Sequence, residues 1–289
     1  MAISRDRLTA GRVGLRTAAR APQKARSGSG WYAVLARSGL VAKGASYAIV
    51  GVLALKLALG DGGKATSRQG ALQAIAHHAY GTVLIALLAA GLAAYAIWRF
   101  VQAVAEPRED STAKTWAKRA GYIGRGLIYA GLTYSAVKIL VDAGGNQSQN
   151  AKAHKTAAAI LSWSGGTWIV GILGAAIVVA GLANLYRALS TSFEDNWRAG
   201  EMGATARKWA KRIGVAGHLA RAVVFGLIGI FIVKAAVDYN PKDAIGFDGA
   251  LQKLVHSSHG PYLLGVTAVG LICYAVYCLV DARYRDVSV

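Results

Sequence analysis

The chain has 289 residues, of which 54% are hydrophobic, and its formal net charge is +19. A water-soluble domain of this apolar content is not usually so basic, whereas apolar membrane spans alternating with basic cytoplasmic segments combine both properties. Together with a mean hydropathy of +0.36, the composition therefore indicates an integral membrane protein rather than a water-soluble one.

The N-terminal arm, residues 1–30, is basic and lacks the apolar core of a cleavable signal peptide. Arg12, Arg16, Arg20 and Lys24 are spaced four residues apart and would form one basic stripe on a helix. A solvated tail and adsorption to anionic inner-leaflet lipid both fit this pattern. Nucleic acid is not an expected partner, because the arm has no aromatic residue for base stacking.

Six apolar segments follow the arm, each long enough to cross a bilayer. We predict that each is a helix, because a helix satisfies its own backbone hydrogen bonds in lipid and no alternating strand pattern appears. The predicted spans cover residues 39–60, 80–103, 120–141, 167–189, 214–237 and 261–281.

Three of these spans share a pattern of a glycine, a basic residue four positions later and a lysine thirteen positions after that. The next span of each unit contains two glycines ten residues apart, which favour close helix packing in lipid. A period of roughly 90 residues indicates a chain built from repeated two-helix units. The first pattern occurs as Gly39, Lys43 and Lys56, as Gly121, Arg125 and Lys138, and as Gly217, Arg221 and Lys234; the glycine pairs are Gly81 and Gly91, Gly171 and Gly181, and Gly260 and Gly270.

These units divide the chain into the basic cytoplasmic arm and three two-helix membrane repeats, at residues 31–105, 112–190 and 205–285. Each repeat enters and leaves the membrane on the same side, so all three have one orientation. Parallel repeats of this kind are related by an axis along the membrane normal. The predicted fold is an all-α membrane protein with six transmembrane helices, arranged with pseudo-threefold symmetry about that normal.

Three tandem hairpins of this size, each opening with the glycine and basic pattern and closing on a glycine pair, resemble the bacterial membrane family called domain of unknown function 1206. The resemblance extends over residues 31–285. It implies a six-helix bacterial membrane protein with three internal repeats, and it brings no activity, substrate or catalytic residue.

Basic residues outside the predicted spans, together with Arg99 and Arg187 near the ends of two spans, are distributed unevenly between the two sides. The side that carries both termini has 21 of them and the other side has six. The positive-inside rule therefore predicts that both termini are cytoplasmic, in a multi-pass protein of the bacterial inner membrane.

The inner ring is the name we give to the first basic residue of each pattern, namely Lys43, Arg125 and Arg221. Inside the spans, no acidic residue lies one helical turn from them, and basic residues within a membrane are costly and often functional. They are candidate contacts for lipid phosphates or another anion. Snorkelling to inner-leaflet headgroups is the working hypothesis; a polar cavity or anion path, and contact with a partner subunit, stay open.

The outer ring consists of the second basic residue of each pattern, all lysines. In two repeats an aspartate follows the lysine by four residues, one helical turn along the same face, and in the first repeat by five. We expect the lysines to be neutralised by these aspartates near the outer boundary of the membrane. The candidate outer-leaflet ion pairs are Lys56 with Asp61, Lys138 with Asp142, and Lys234 with Asp238.

Motifs of known catalytic chemistry do not occur in the sequence, which has no nucleotide-binding loop, nucleophile elbow, zinc-protease motif or haem-attachment pattern. The histidines of the outer loops do not recur in the middle repeat, where only His154 is present. We therefore predict no catalytic activity, no metal site and no cofactor.

The predicted function is that of a membrane protein that stabilises a complex or organises lipid. Its expected partners are the bilayer and anionic inner-leaflet lipids, with a membrane-protein partner as a further option. The alternative is a small anion channel or carrier with its path on the pseudo-threefold axis. The direction of the inner-ring side chains separates these hypotheses, because lipid-facing residues favour the first and an axial cavity favours the second.

Overall fold

A computed structural model describes residues 30–60, 80–105, 111–141 and 149–286. This part of the chain is almost entirely helical, with three short 3₁₀ helices at Ser192–Asn196, Ala199–Glu201 and Pro241–Asp243 beside the α-helices. The α-helices are α1 (Gly30–Ala58), α2 (Gly81–Ala105), α3 (Thr112–Val141), α4 (Gln149–Leu161), α5 (Gly166–Ser190), α6 (Ala204–Val237), α7 (Phe247–Val255) and α8 (Gly260–Tyr284).

Five of these helices, α1, α2, α5, α6 and α8, are long and apolar enough to cross a membrane. They have 25 to 34 residues, and a helix needs about 20 apolar residues to cross the hydrocarbon core. Helix α3 corresponds to the predicted span 120–141 and has 30 residues. It is not among the five, because basic residues such as Lys118, Arg125 and Lys138 lower its apolar character.

Helices α4 and α7 are short and were not predicted from the sequence. In α7, Phe247, Leu251 and Leu254 are buried. Their spacing of four and three residues places them on one face of the helix, which packs against α6 and α8. The sequence around α7 therefore forms a helix whose apolar face covers the ends of two long helices.

Helices α1 and α8 pack antiparallel through glycines on α1. Gly44 lies against Cys278, and Gly51 lies against Ala268 and Ile272. The start of α1 and the end of α8 are therefore at the same end of the molecule, which we call the proximal end. We call the other end, where α4 and α7 lie, the distal end.

The packing of the long helices links successive repeats. Helix α2 of the first repeat packs on α3 of the second, α5 of the second packs on α6 of the third, and α8 of the third packs on α1 of the first. The first and third repeats are also closed internally, by α1 with α2 and α6 with α8. In contrast, α3 and α5 make little or no contact within the described residues, so an opening separates the two helices of the middle repeat.

Candidate functional site

A cavity of about 850 Å³ lies among the long helices. All six of them contribute to its lining, and α4 contributes at the distal end. The lining combines aromatic rings with basic side chains, which are Lys43, Arg99, Arg125, Lys152, Arg187 and Arg221. A further lining residue, Arg285, is held in an ion pair with Asp281.

All three inner-ring residues reach this cavity. Lys43 is buried, and Arg125 and Arg221 are half-buried. The snorkelling hypothesis expected these side chains on the outer surface of the helices, but they turn inward. The reason for Lys43 is that it lies on the face of α1 between α2 and α8, where the Lys43 Nζ atom is 5.4 Å from the Tyr95 ring centre and 5.1 Å from that of Tyr274.

The Arg221 side chain is held by an aromatic environment. Its guanidinium group donates a hydrogen bond to the Tyr274 hydroxyl group. The same group lies 4.4 Å from the centre of the Tyr274 ring and 5.1 Å from that of Phe225. Lys43 and Arg221 therefore contact the same tyrosine from two different helices, at distances that favour cation–π attraction.

An aromatic residue follows each inner-ring residue by four positions. These residues are Tyr47, Tyr129 and Phe225, and all three line the cavity. One helical turn places each aromatic ring on the same face as its basic residue. The sequence analysis missed this triplicated spacing, although it is visible in the sequence.

Two further arginines, Arg99 and Arg187, reach the cavity from the proximal ends of α2 and α5. The Arg99 side chain is almost completely buried and donates hydrogen bonds to the Tyr95 hydroxyl group at 2.6 Å and to the Gln102 side chain at 2.5 Å. Sequence reasoning counted both arginines as cytoplasmic flanking charges, because each falls at the edge of a predicted span.

Asp281 is the one carboxylate among the described residues that line the cavity. It is 2% exposed and accepts hydrogen bonds from Trp197 Nε1 at 3.3 Å and from Arg285 at 2.7 Å. Asp281 is therefore already occupied by two donors. The inner ring, Arg99 and Arg187 have no carboxylate partner in the described part of the chain, so the cavity carries excess positive charge.

Several buried nitrogen atoms around the cavity have no hydrogen-bond partner among the described residues. They are Arg99 Nε, Arg221 Nε and His218 Nε2. The other ring nitrogen of His218, Nδ1, lies 3.1 Å from Asn184 Oδ1. Buried polar atoms are normally paired, so the clustering of these three at one cavity favours a polar ligand there.

The outer ring differs from the inner ring in exposure, because Lys56, Lys138 and Lys234 are all exposed. The Lys234 Nζ atom is 3.0 Å from a carboxylate oxygen of Asp238 and 2.8 Å from one of Asp243. Hydrogen bonding from Lys234 lowers the pKa of Asp243 below its ordinary value. Asp61 and Asp142, the expected partners of the other two lysines, lie outside the described residues.

Metal-binding chemistry has no site in the described part of the chain, where no group of three histidine, cysteine or acidic side chains could hold an ion. His256 Nδ1 lies 2.8 Å from the Gln252 carbonyl oxygen at the end of α7. His77 and His78 lie outside the described residues.

The comparison with protein families matches this architecture. The family described as Domain of Unknown Function (DUF1206) matches the chain three times, over residues 38–106, 120–191 and 216–285. The chain belongs to this family. Each match begins close to the glycine and basic pattern of a repeat and ends with the second long helix of that repeat, so each match covers one pair of long helices.

A relative from Bacillus subtilis (strain 168) has a similar length. The chain is 29% identical to this protein, "Uncharacterized protein YxxB", over 261 residues, which cover 89% of this chain and 93% of the relative. No solved structure matches the chain significantly. Membership in the family supports the repeat organisation and assigns no ligand or reaction to the cavity.

Proposed function

We propose that this protein is a non-catalytic membrane protein that binds a phosphate-type anion in the cavity between its three repeats. The observation that carries the proposal is the convergence of all three inner-ring residues on one cavity whose single described carboxylate is already paired. Several like charges in a low-dielectric site repel one another strongly. A bound anion would offset that repulsion and would accept hydrogen bonds from Arg99 and Arg221.

The arrangement of six transmembrane helices with pseudo-threefold symmetry belongs to this proposal. It is supported by the order of helix packing, in which the second helix of each repeat contacts the first helix of the next. Helix α3 is included as a span because its Arg125 side chain turns to the cavity and not to lipid. The excess of basic residues on the side of both termini supports a bacterial inner-membrane location with cytoplasmic termini.

We propose that the protein is not catalytic because the carboxylate that lines the cavity is already hydrogen-bonded to other side chains. Asp281, the one carboxylate among the described lining residues, already accepts hydrogen bonds from Trp197 and Arg285. Acid–base chemistry needs a group that can exchange protons with a substrate. Arginine remains protonated, so the cavity is suited to holding an anion rather than transforming it.

The test measures stabilisation by an anion. Purified protein in zwitterionic nanodiscs would be titrated with inorganic phosphate or with phosphatidylglycerol, and its unfolding temperature would be recorded. Ligand that binds only the folded state raises this temperature. We expect Lys43→Gln, Arg125→Gln and Arg221→Gln each to reduce the anion-dependent shift by more than half, because each removes one of the converging charges.

The outer ring supplies matched controls, since Lys56→Gln, Lys138→Gln and Lys234→Gln remove the same charge from the same three helices at exposed positions. We expect these variants to keep the full anion-dependent shift. Equal losses in both sets would mean that the anion acts on surface charge, and the proposal would be wrong. Because a cavity lined by the inner ring fits a binding site as well as a channel, ion flux separates the two. Anion flux in liposomes that each inner-ring variant abolishes would favour the channel alternative.

A further inference from the structure

Resting on the anion site proposed above, we propose that its ligand is an anionic phospholipid that enters sideways from the bilayer between α3 and α5. The phosphate group would lie among the basic residues of the cavity, and the acyl chains would remain in the opening between the two helices. This names both the source of the phosphate and the path by which it reaches the site.

The opening is visible in three equivalent glycines. A methyl group added at Gly39 would lie 2.6 Å from Tyr95 Cα, and one added at Gly217 would lie 2.6 Å from Tyr274 Cα. The equivalent glycine of the middle repeat, Gly121, has nothing within 4 Å of that position. The first and third hairpins are therefore closed at this level, and the middle hairpin is open.

The middle hairpin also differs from the other two in sequence at this point. Tyr95 and Tyr274 each follow the second glycine of their repeat by four residues, but the corresponding residue of the middle repeat is Leu185. Helix α5 instead packs closely on α6, where a methyl group at Gly174 would be 2.7 Å from Val233 N. This contact holds α5 against the third repeat and away from α3.

On both edges of the opening, a basic residue is followed by an apolar one in the direction of the distal end. On α3, Arg125 is followed by the exposed Ile128 one turn toward the distal end. On α5, Arg187 is preceded by the exposed Ala183, also one turn toward the distal end. All four residues line the cavity. Each edge thus has a cation near the proximal end and an apolar surface nearer the bilayer centre, which is the order of headgroup and acyl chain in a phospholipid of the proximal leaflet.

The first test obstructs the opening with a large side chain. Ala183→Trp places an indole ring at an exposed edge position, and Leu182→Trp is the matched control at an exposed α5 position outside the cavity lining, about 100° around the helix from Ala183. Binding of phosphatidylglycerol, phosphatidylcholine and inorganic phosphate would be measured by native mass spectrometry and by thermal stabilisation.

We expect Ala183→Trp to weaken phosphatidylglycerol binding about tenfold or more and to retain stabilisation by inorganic phosphate, while Leu182→Trp binds both as the wild type does. If Ala183→Trp binds the lipid normally while inner-ring variants lose it, the anion site stands and lateral entry is wrong. If neither phosphatidylglycerol nor phosphate binds the wild type in preference to phosphatidylcholine, both proposals are wrong.

The second test uses the wild-type chain, so it does not depend on how a variant folds. Phosphatidylglycerol with a photoreactive group on its acyl chain would be crosslinked, and the labelled residues would be mapped by mass spectrometry. We expect labelling concentrated at Leu127 and Ile128 of α3 and at Ala180 and Ala183 of α5, above the level given by phosphatidylcholine. Equal labelling of all lipid-exposed helices would contradict lateral binding at this opening.

Discussion

Gly217 of α6 lies against the backbone of Tyr274 in α8, so closely that an added methyl group would come within 2.6 Å of Tyr274 Cα. Gly39 has the same relationship to Tyr95 in the first repeat. Because the neighbouring atoms belong to a helix backbone, they cannot rotate away as a flexible side chain would. A larger residue at either glycine must push two helices apart.

Gly39→Ala and Gly217→Ala should therefore each destabilise the protein, by about 1–3 kcal/mol as is typical of overpacking. Gly121→Ala is the matched control, because its position is open and alanine favours helix formation over glycine. The measurement is the unfolding temperature in detergent. A loss at Gly121 equal to that at Gly217 would mean that α3 and α5 pack together as closely as the helices of the other two repeats.

The glycine pattern shows which features of the fold could be predicted from the sequence. Three repeats and close helix packing at their glycines are predicted from residue spacing, and the family model matches the chain three times. The pattern did not predict that the middle hairpin lacks close contact between its two long helices. The middle repeat has Leu185 where the other repeats have Tyr95 and Tyr274, and its helix α5 packs more closely against α6 than against α3.

The direction of the inner-ring side chains also could not be predicted from the sequence. The basic residues of α1 are spread around the helix, so no single polar face indicates which side meets lipid and which side meets other helices. The depth of Lys43 could be read from its position in the span, but its direction is set by packing between α2 and α8. Arg99 and Arg187 were missed because a basic residue near the end of a span can either face the cavity or lie outside the membrane as a flanking charge, and the sequence does not distinguish the two.

Asp281 is paired with Arg285 one turn further along the chain, and it also accepts a hydrogen bond from Trp197, which joins α8 to the segment that precedes α6. Asp281→Asn should cost about 2 kcal/mol or more, since it leaves the Arg285 charge without its partner. Arg283→Gln, which changes an exposed neighbour, should have little effect.

A double-mutant cycle tests this contact. The combined Asp281→Asn and Arg285→Gln variant should lose less stability than the sum of the two single variants, because the second change removes the charge that the first leaves unpaired. Additive losses would indicate that the two residues stabilise the fold independently.

The loop before α6 should show a pH-dependent contribution from Glu194. Burial by itself would raise the pKa of Glu194, but hydrogen bonds from Lys211 and Arg207 outweigh this effect, so the pKa lies below its ordinary value. A lowered pKa stabilises the fold above the pKa of the unfolded chain, about 4.3 for glutamate, and the benefit is lost as the pH falls through the lower pKa of the folded protein.

Wild type should therefore be more stable than Glu194→Gln at pH 7, and the difference should shrink as the pH falls below about 4. Thermal unfolding of both proteins between neutral and acidic pH measures this. A difference that stays constant across the range would contradict the ionic origin of the effect. Asp195→Asn is a control on the next residue, which forms neither of these two bridges.

The orientation of the chain is tested by thiol labelling in a variant without Cys273 and Cys278. A cysteine at Ser67 or Ser148 should react with an impermeant reagent added outside intact cells, and one at Ser111 should react only after lysis. This follows from the 21 to six distribution of flanking basic residues. The reverse labelling would place both termini outside the cytoplasm.

Lys43 and Arg221 should be energetically coupled, because their charges converge on the same Tyr274 ring within one cavity. In zwitterionic lipid, removing either charge relieves repulsion on the other, so the Lys43→Gln and Arg221→Gln double variant should deviate from additivity by about 0.5–3 kcal/mol. In phosphatidylglycerol, the wild type should be stabilised more than either single variant, since the bound phosphate needs both charges.

Lys56→Gln with Lys138→Gln is the control pair, and its effects should add because both lysines are exposed. Additive effects of Lys43 and Arg221 in both lipids would show that each charge acts on its own helix, and the shared anion site would then be wrong.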